Sequence, residues 1–239
     1  MIRQIKEHKN NMISKSLNLT SFRKYVFLFL LASVQLFSDA TNWQTIVIPN
    51  ICTFKIPNTM EIQAGTYKKI SDKLAKEVLE INFNESSVMA QQKGLNEFGK
   101  EGFKNYSRII VGTEYGKLGD YEKIDTQIVA SKKELQALDA TMKNDFLTSA
   151  EQMISKGMNM KLLSWKPVKI ETINGISMIK YQYTRTMNDK PEVIVMIFII
   201  QNNDRLHRVT ISYRISEEKL WKNDLEKVIY SFKFNPINK

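Results

Sequence analysis

The sequence predicts a mixed α/β (α+β) domain, a three-layer α/β/α sandwich whose central sheet is mainly antiparallel. Three observations in the last third of the chain lead there. Residues 193–200 are an unbroken, largely β-branched apolar run, the composition of a strand covered on both faces. Residues 207–215 then alternate, with His207, Val209, Ile211, Tyr213 and Ile215 on one side and Arg208, Thr210, Ser212 and Arg214 on the other. Behind them Leu220, Trp221, Leu225, Val228, Ile229 and Phe232 recur at helical spacing, with Ser216 placed to cap the helix and Glu217 and Glu218 suited to its N-terminus. A helix with one apolar face needs a sheet to cover.

From the N-terminus, residues 25–38 (YVFLFLLASVQLFS) are an uncharged apolar run between Arg23-Lys24 and Ser38-Asp39-Ala40. Those are the parts of a secretory signal with cleavage after Ala40. The run is shorter than the roughly 20 apolar residues of a bilayer span; retained, it would tether the protein to a membrane. The expected layout is an extension and signal over residues 1–40 and a single domain over 41–239. The expected address is periplasmic or extracellular.

Residues 43–48 and 51–56 are β-rich, divided by Pro49-Asn50 and closed by Pro57-Asn58, which reads as a hairpin at or beside the sheet edge. Tyr67, Ile70, Leu74 and Val78 predict a helix over 66–79, although residues 78–83 also suit a strand. Residues 87–94 and 106–113 read as paired strands around a glycine-containing loop. Ser131 and Glu134 form a capping box for a helix with Leu135, Leu138, Met142, Phe146, Ala150 and Met153 along one face, ended by Gly157. Residues 168–173 and 176–186 flank Asn174-Gly175, a strong hairpin signal. The second of these strands sets Ile179, Tyr181 and Tyr183 against Lys180, Gln182 and Thr184. Residues 188–191 and 201–205 are turns, so the order is ββ-α-ββ-α-ββ-ββ-α.

Composition narrows the function classes. The net charge is +10, but basic and acidic residues are interspersed, and a nucleic-acid binder concentrates its charge, so nucleic acid is not an expected partner. The single cysteine, Cys52, excludes an intramolecular disulfide and suits a buried strand position. As a nucleophile it would need a base, and the histidines are His8, in the extension, and His207, on an apolar strand face. No histidine–cysteine cluster or calcium loop implies a metal, and no cofactor motif is present. Ser212 and His207 fall on opposite faces of one strand, and no G-x-S-x-G elbow occurs. The expectation is therefore a protein without catalysis; the alternatives are a hydrolase or other enzyme with an unrecognised site, and a membrane-tethered envelope protein.

Phe54-Lys55-Ile56-Pro57, together with residues 209–214 leading into Trp221, Leu225, Ile229 and Ser231-Phe232-Lys233-Phe234, resembles the PsbP-like superfamily. That superfamily includes DcrB-like exported bacterial proteins and a Ran-binding nuclear import factor. The resemblance implies the same sandwich and a binding or accessory role, and it transfers no ligand residues; nothing here matches the metal or chloride sites of its photosystem branch. The candidate surface is the polar face of the closing hairpins, with Lys180 and Gln182 in the same sheet as Arg208, Thr210, Ser212 and Arg214. Its partner would be an unknown protein or an anionic envelope component. The competing expectation is that these long side chains lie beneath a helix, Arg208 above all.

Overall fold

The computed structural model describes residues 42–79, 87–125 and 130–235. The apolar run at 25–38, its expected cleavage point and most of the alternative strand at 78–83 lie outside the described residues.

Strands β1 (Trp43–Ile48) and β2 (Cys52–Pro57) form the expected antiparallel hairpin, turning at Asn50 with φ 61°. They do not edge the main sheet. Strand β10 (Lys233–Phe234) pairs with the free side of β2, making a separate three-stranded sheet in the order β1-β2-β10. Alternation explains this: Phe54 and Ile56 are buried on one side of β2, and the Phe54 ring stacks on Phe232 at 4.6 Å. The Lys55 amide donates to Ser231 Oγ at 2.9 Å, 176 positions further along.

The main sheet has seven strands: β3 (Met60–Ile62), β4 (Val88–Gln92), β5 (Ser107–Tyr115), β6 (Met160–Ile173), β7 (Ile176–Met187), β8 (Val193–Gln201) and β9 (Arg205–Arg214). Their order is β3-β4-β5-β9-β8-β7-β6, and each neighbouring pair is antiparallel. The apolar run predicted to be covered on both faces is β8, buried from Ile194 to Ile200. Helix α1 spans Gly65–Leu79, α2 Lys100–Lys104, α3 Lys132–Ser155 and α4 Glu218–Ser231.

On one face of the sheet, α3 packs Leu138 and Met142 against Val168, Ile179, Tyr181, Val195, Ile197 and Ile199. Asp139 fixes the helix there, its Oδ1 accepting from the Trp165 indole N–H and the Val168 amide, both at 2.8 Å. The predicted capping box is present, and hydrogen bonds from Ser131 hold the Glu134 carboxyl below its usual range. At the other end Gly157 takes φ 79°, and Met158 N–H reaches Met153 O at 2.9 Å, closing a Schellman turn. On the opposite face, α4 buries Trp221, Leu225, Val228 and Ile229 in one core with Met196, Phe198, Val209, Ile211, Ile46 and Phe54. The sandwich is therefore α3, sheet, then a layer shared by α4 and the small sheet.

Several expectations are corrected. Strand β3, helix α2 and the Met160–Pro167 half of β6 were not anticipated; that half carries two register shifts and Pro167, which break its alternation. Ser216 does not cap α4. It sits in a 3-10 turn (Ile215–Glu217), and the cap position is Glu217, whose carboxylate is engaged elsewhere. Leu220 is 50% exposed. In α1, Tyr67 meets Phe98 edge-on at 5.6 Å, but Ile70 and Leu74 are 46% and 55% exposed, so this apolar stripe is not laid onto the sheet.

The long loop between β4 and β5 is held by Gln92. Its side-chain amide donates to Gly102 O and Asn105 O and accepts from Ser107 N–H. A Cβ on Gly102 would lie 2.7 Å from the Gly94 carbonyl carbon, so the loop closes here only with glycine.

Candidate functional site

Strand register decides which of the expected site residues share a surface. Lys180 pairs with Phe198, which pairs with Val209, and this places Lys180 and Gln182 on the α4 side of the sheet. Arg208 pairs with Ile199, and Arg214 with Val193, which places both on the α3 side. The four residues are not brought together. Lys180 also has a local task. Its Nζ lies 3.0 Å from Glu171 and 5.2 Å over the Phe198 ring, and Lys169 pairs with the same carboxylate. Burial opposes ionisation of Glu171, but the hydrogen bonds from the two lysines outweigh it and keep the carboxyl below its usual range.

Arg214 is likewise held within the fold. Its Nη1 donates to Lys104 O at 2.8 Å and to Glu217 Oε1 at 2.9 Å, while Glu217 Oε2 accepts from the Tyr106 amide and the Trp221 indole. Arg208 differs from all of these. It is exposed, contrary to the expectation that a helix covers it, and it makes no hydrogen bond or ion pair among the described residues. Helix α3 covers the β6–β8 part of this face and leaves β9 and β5 beside it.

Around Arg208 the pairing assembles groups that the sequence reading missed. Arg108 of β5 stands opposite Ser212, and Ile110 opposite Thr210, while Gly112 stands opposite Arg208. Tyr106 Oη lies 3.1 Å from Ser212 Oγ, and the Arg108 guanidinium lies 5.6 Å from the centre of the Tyr106 ring. The buried Nε of Arg108 has no hydrogen-bond partner among the described residues. Tyr181 and Tyr183 lie on the same face across β8 from the strip, stacked with Trp165 at 5.2 and 6.0 Å. Burial pushes the Tyr183 hydroxyl up to about 12, with Arg185 and Arg208 drawing it back, so it remains a hydrogen-bond donor. From Arg108 to Arg208 the strip holds two cations and the Thr210 and Ser212 hydroxyls, with no carboxylate on either strand between them. With strands ~4.8 Å apart and alternate residues ~6.7 Å apart, the two arginine Cα atoms are about 14 Å from each other. That spacing fits an extended anion carrying several charges better than a single small ion.

The groups that could do covalent chemistry stand elsewhere. Burial raises the Cys52 thiol to about 12, far from thiolate character at neutral pH. His207 is buried on the α4 side, with Nδ1 3.0 Å from Thr113 Oγ1 and its ring 4.7 Å from Phe234. Among the described residues no group of three or more histidines, cysteines and carboxylates could hold a metal ion. No helix among them is long and apolar enough to cross a membrane.

No protein family matches the chain, and no curated protein does. Among solved structures, it is similar to the solution structure of cyanobacterial PsbP (CyanoP) from Synechocystis sp. PCC 6803. There the TM-score is 0.43 with 11% sequence identity, over 83% of this chain and 96% of the other. It is also similar to a crystal structure from Bacteroides thetaiotaomicron VPI-5482, with TM-score 0.42 and 6% identity, over 79% of this chain. The chain spans 46% of the length of that Bacteroides protein.

Proposed function

We propose that the protein is an exported, non-catalytic binding module that engages an extended anionic partner through the β5–β9 strip. The observation that carries this reading is the placement of Arg108, Arg208 and two hydroxyls on one partly uncovered sheet face, with no carboxylate on either strand between them. A cation with no hydrogen bond or ion pair among the described residues is available to a partner outside the fold, and complementary charge sets encounter rate and register. The chain's positive net charge adds long-range attraction of the same sign.

The test uses fluorescence anisotropy of the full chain with labelled polyglutamate as the polyanionic probe. Arg208→Glu should weaken binding at least fivefold with an unchanged Tm, since the side chain is exposed and makes no hydrogen bond or ion pair among the described residues. Raising salt should weaken the wild-type complex, because the Debye length falls from about 8 Å at physiological ionic strength to about 3 Å at 1 M. Arg214→Glu should instead lower Tm, as it removes a donor from the half-buried Glu217. Wild-type affinity in Arg208→Glu would overturn the reading.

A further inference from the structure

A recess lies at the end of the strands nearest Arg208, beside Ile200, whose chain neighbour Ile199 pairs with Arg208. It has a volume of about 260 Å³ and opens where β7 begins and β8 ends. Ile176, Ile200, Phe234 and Ile124 supply apolar walls, and Lys123 and Asn202 supply polar groups. No residue of α3 or α4 lines it. Ile124 packs with the core under α3, and Ile176 and Phe234 with the core under α4, so the recess sits where the two cores approach each other around the sheet's end.

Its walls are fixed before anything enters. Tyr121 and Asn203 exchange two backbone hydrogen bonds, at 2.8 and 2.6 Å, which pins the strand-like start of the segment bearing Lys123 and Ile124. The Asn174-Gly175 turn beside Ile176 is tied down by Asn174 Nδ2 donating to Tyr230 O at 2.7 Å. The Phe234 ring is held between stacking partners, His207 at 4.7 Å and Phe232 at 5.6 Å. Asn202 is buried, and among the described residues its Nδ2 makes only a long 3.4 Å contact with Asn235 O. Lys123 is exposed and has no ion pair among the described residues.

We propose that this recess binds a small amphipathic monocarboxylate, with its apolar body between Ile176, Ile200 and Phe234 and its carboxylate at Lys123 Nζ and the Asn202 side-chain amide. Size sets the class: an apolar cavity of about 150 Å³ accepts benzene, so 260 Å³ holds roughly ten heavy atoms. Charge sets the head group, because the one ionised group among the lining residues is a lysine, and an amide N–H with spare capacity stands near it. A ligand of that size in a preformed site should bind with Kd of about 0.1–1 mM.

Octanoate, with an eight-carbon chain, is the probe, titrated into the isotope-labelled full chain and followed by amide chemical shifts. Saturable shifts are expected at Ile176, Ser177, Gln201 and Asn202. Lys123→Ala should weaken octanoate at least fivefold with no change in Tm, and octan-1-ol should bind more weakly than octanoate to the wild type and equally to both proteins. Arg108→Gln, at the far end of the strip, should leave octanoate binding unchanged, which separates this site from the strip. Absence of saturable shifts at those amides up to about 10 mM octanoate, or equal affinity in Lys123→Ala, would overturn the proposal.

Discussion

His207 is fully buried, Nε2 has no hydrogen-bond partner among the described residues, and burial pushes its pKa from 6.5 down to about 4. Between those values the unfolded chain binds a proton that the folded chain refuses. The neutral ring's contribution is therefore fully present above about pH 6.5 and is lost as pH falls towards 4, a difference of up to about 3 kcal/mol. Urea denaturation at pH 7 and pH 4 should show His207→Gln losing much less stability on acidification than the wild type; equal losses would mean that position 207 does not govern the acid response. This burial was legible, because alternation put His207 with Val209 and Ile211. The same alternation could not tell whether Lys180 and Arg208 share a face. Parity orders residues within a strand, whereas correspondence between strands needs the register, and the pairing of Lys180 with Phe198 and of Phe198 with Val209 supplies it only in the folded sheet.

Helical periodicity proved informative where a partner surface was available and misleading where none was. In α4 it identified Trp221, Leu225, Val228 and Ile229 correctly, and all four are buried. Trp221→Ala should destabilise by ~3–5 kcal/mol, through lost packing together with the indole hydrogen bond to Glu217. The control is Leu74→Ser in α1, where the side chain is 55% exposed and the expected change is within about 0.5 kcal/mol. Thermal denaturation of the two variants checks both values. The α1 stripe reads equally apolar in sequence, but periodicity states which side chains share a face and says nothing about whether another element comes to cover it. Arg108 was missed for a related reason: its neighbour Ser212 lies on β9, in a hairpin read as separate, and Tyr106 and Ser212 are 106 positions apart.

Over the whole molecule, the antiparallel sandwich was readable from patterning because β8 and β9 carry unambiguous signals; the separate small sheet was not, since a two-residue strand such as β10 has no periodicity to detect. The unequal cover on the elements predicts unequal local stability. Amides in β5, β8 and β9, paired on both sides within the sheet, should exchange with solvent slowest, and those of α1 faster by orders of magnitude. Hydrogen exchange read by mass spectrometry would contradict this if α1 peptides were as protected as β8. The pairing of β2 with β10 also bears on how the chain is made. Until residue 234 has been synthesised, β2 has one open edge, and until residue 232 has, Phe54 lacks its stacking partner. A nascent chain already carrying every residue of the seven-stranded sheet still cannot close the core beneath α4, so folding finishes only after translation has passed that point.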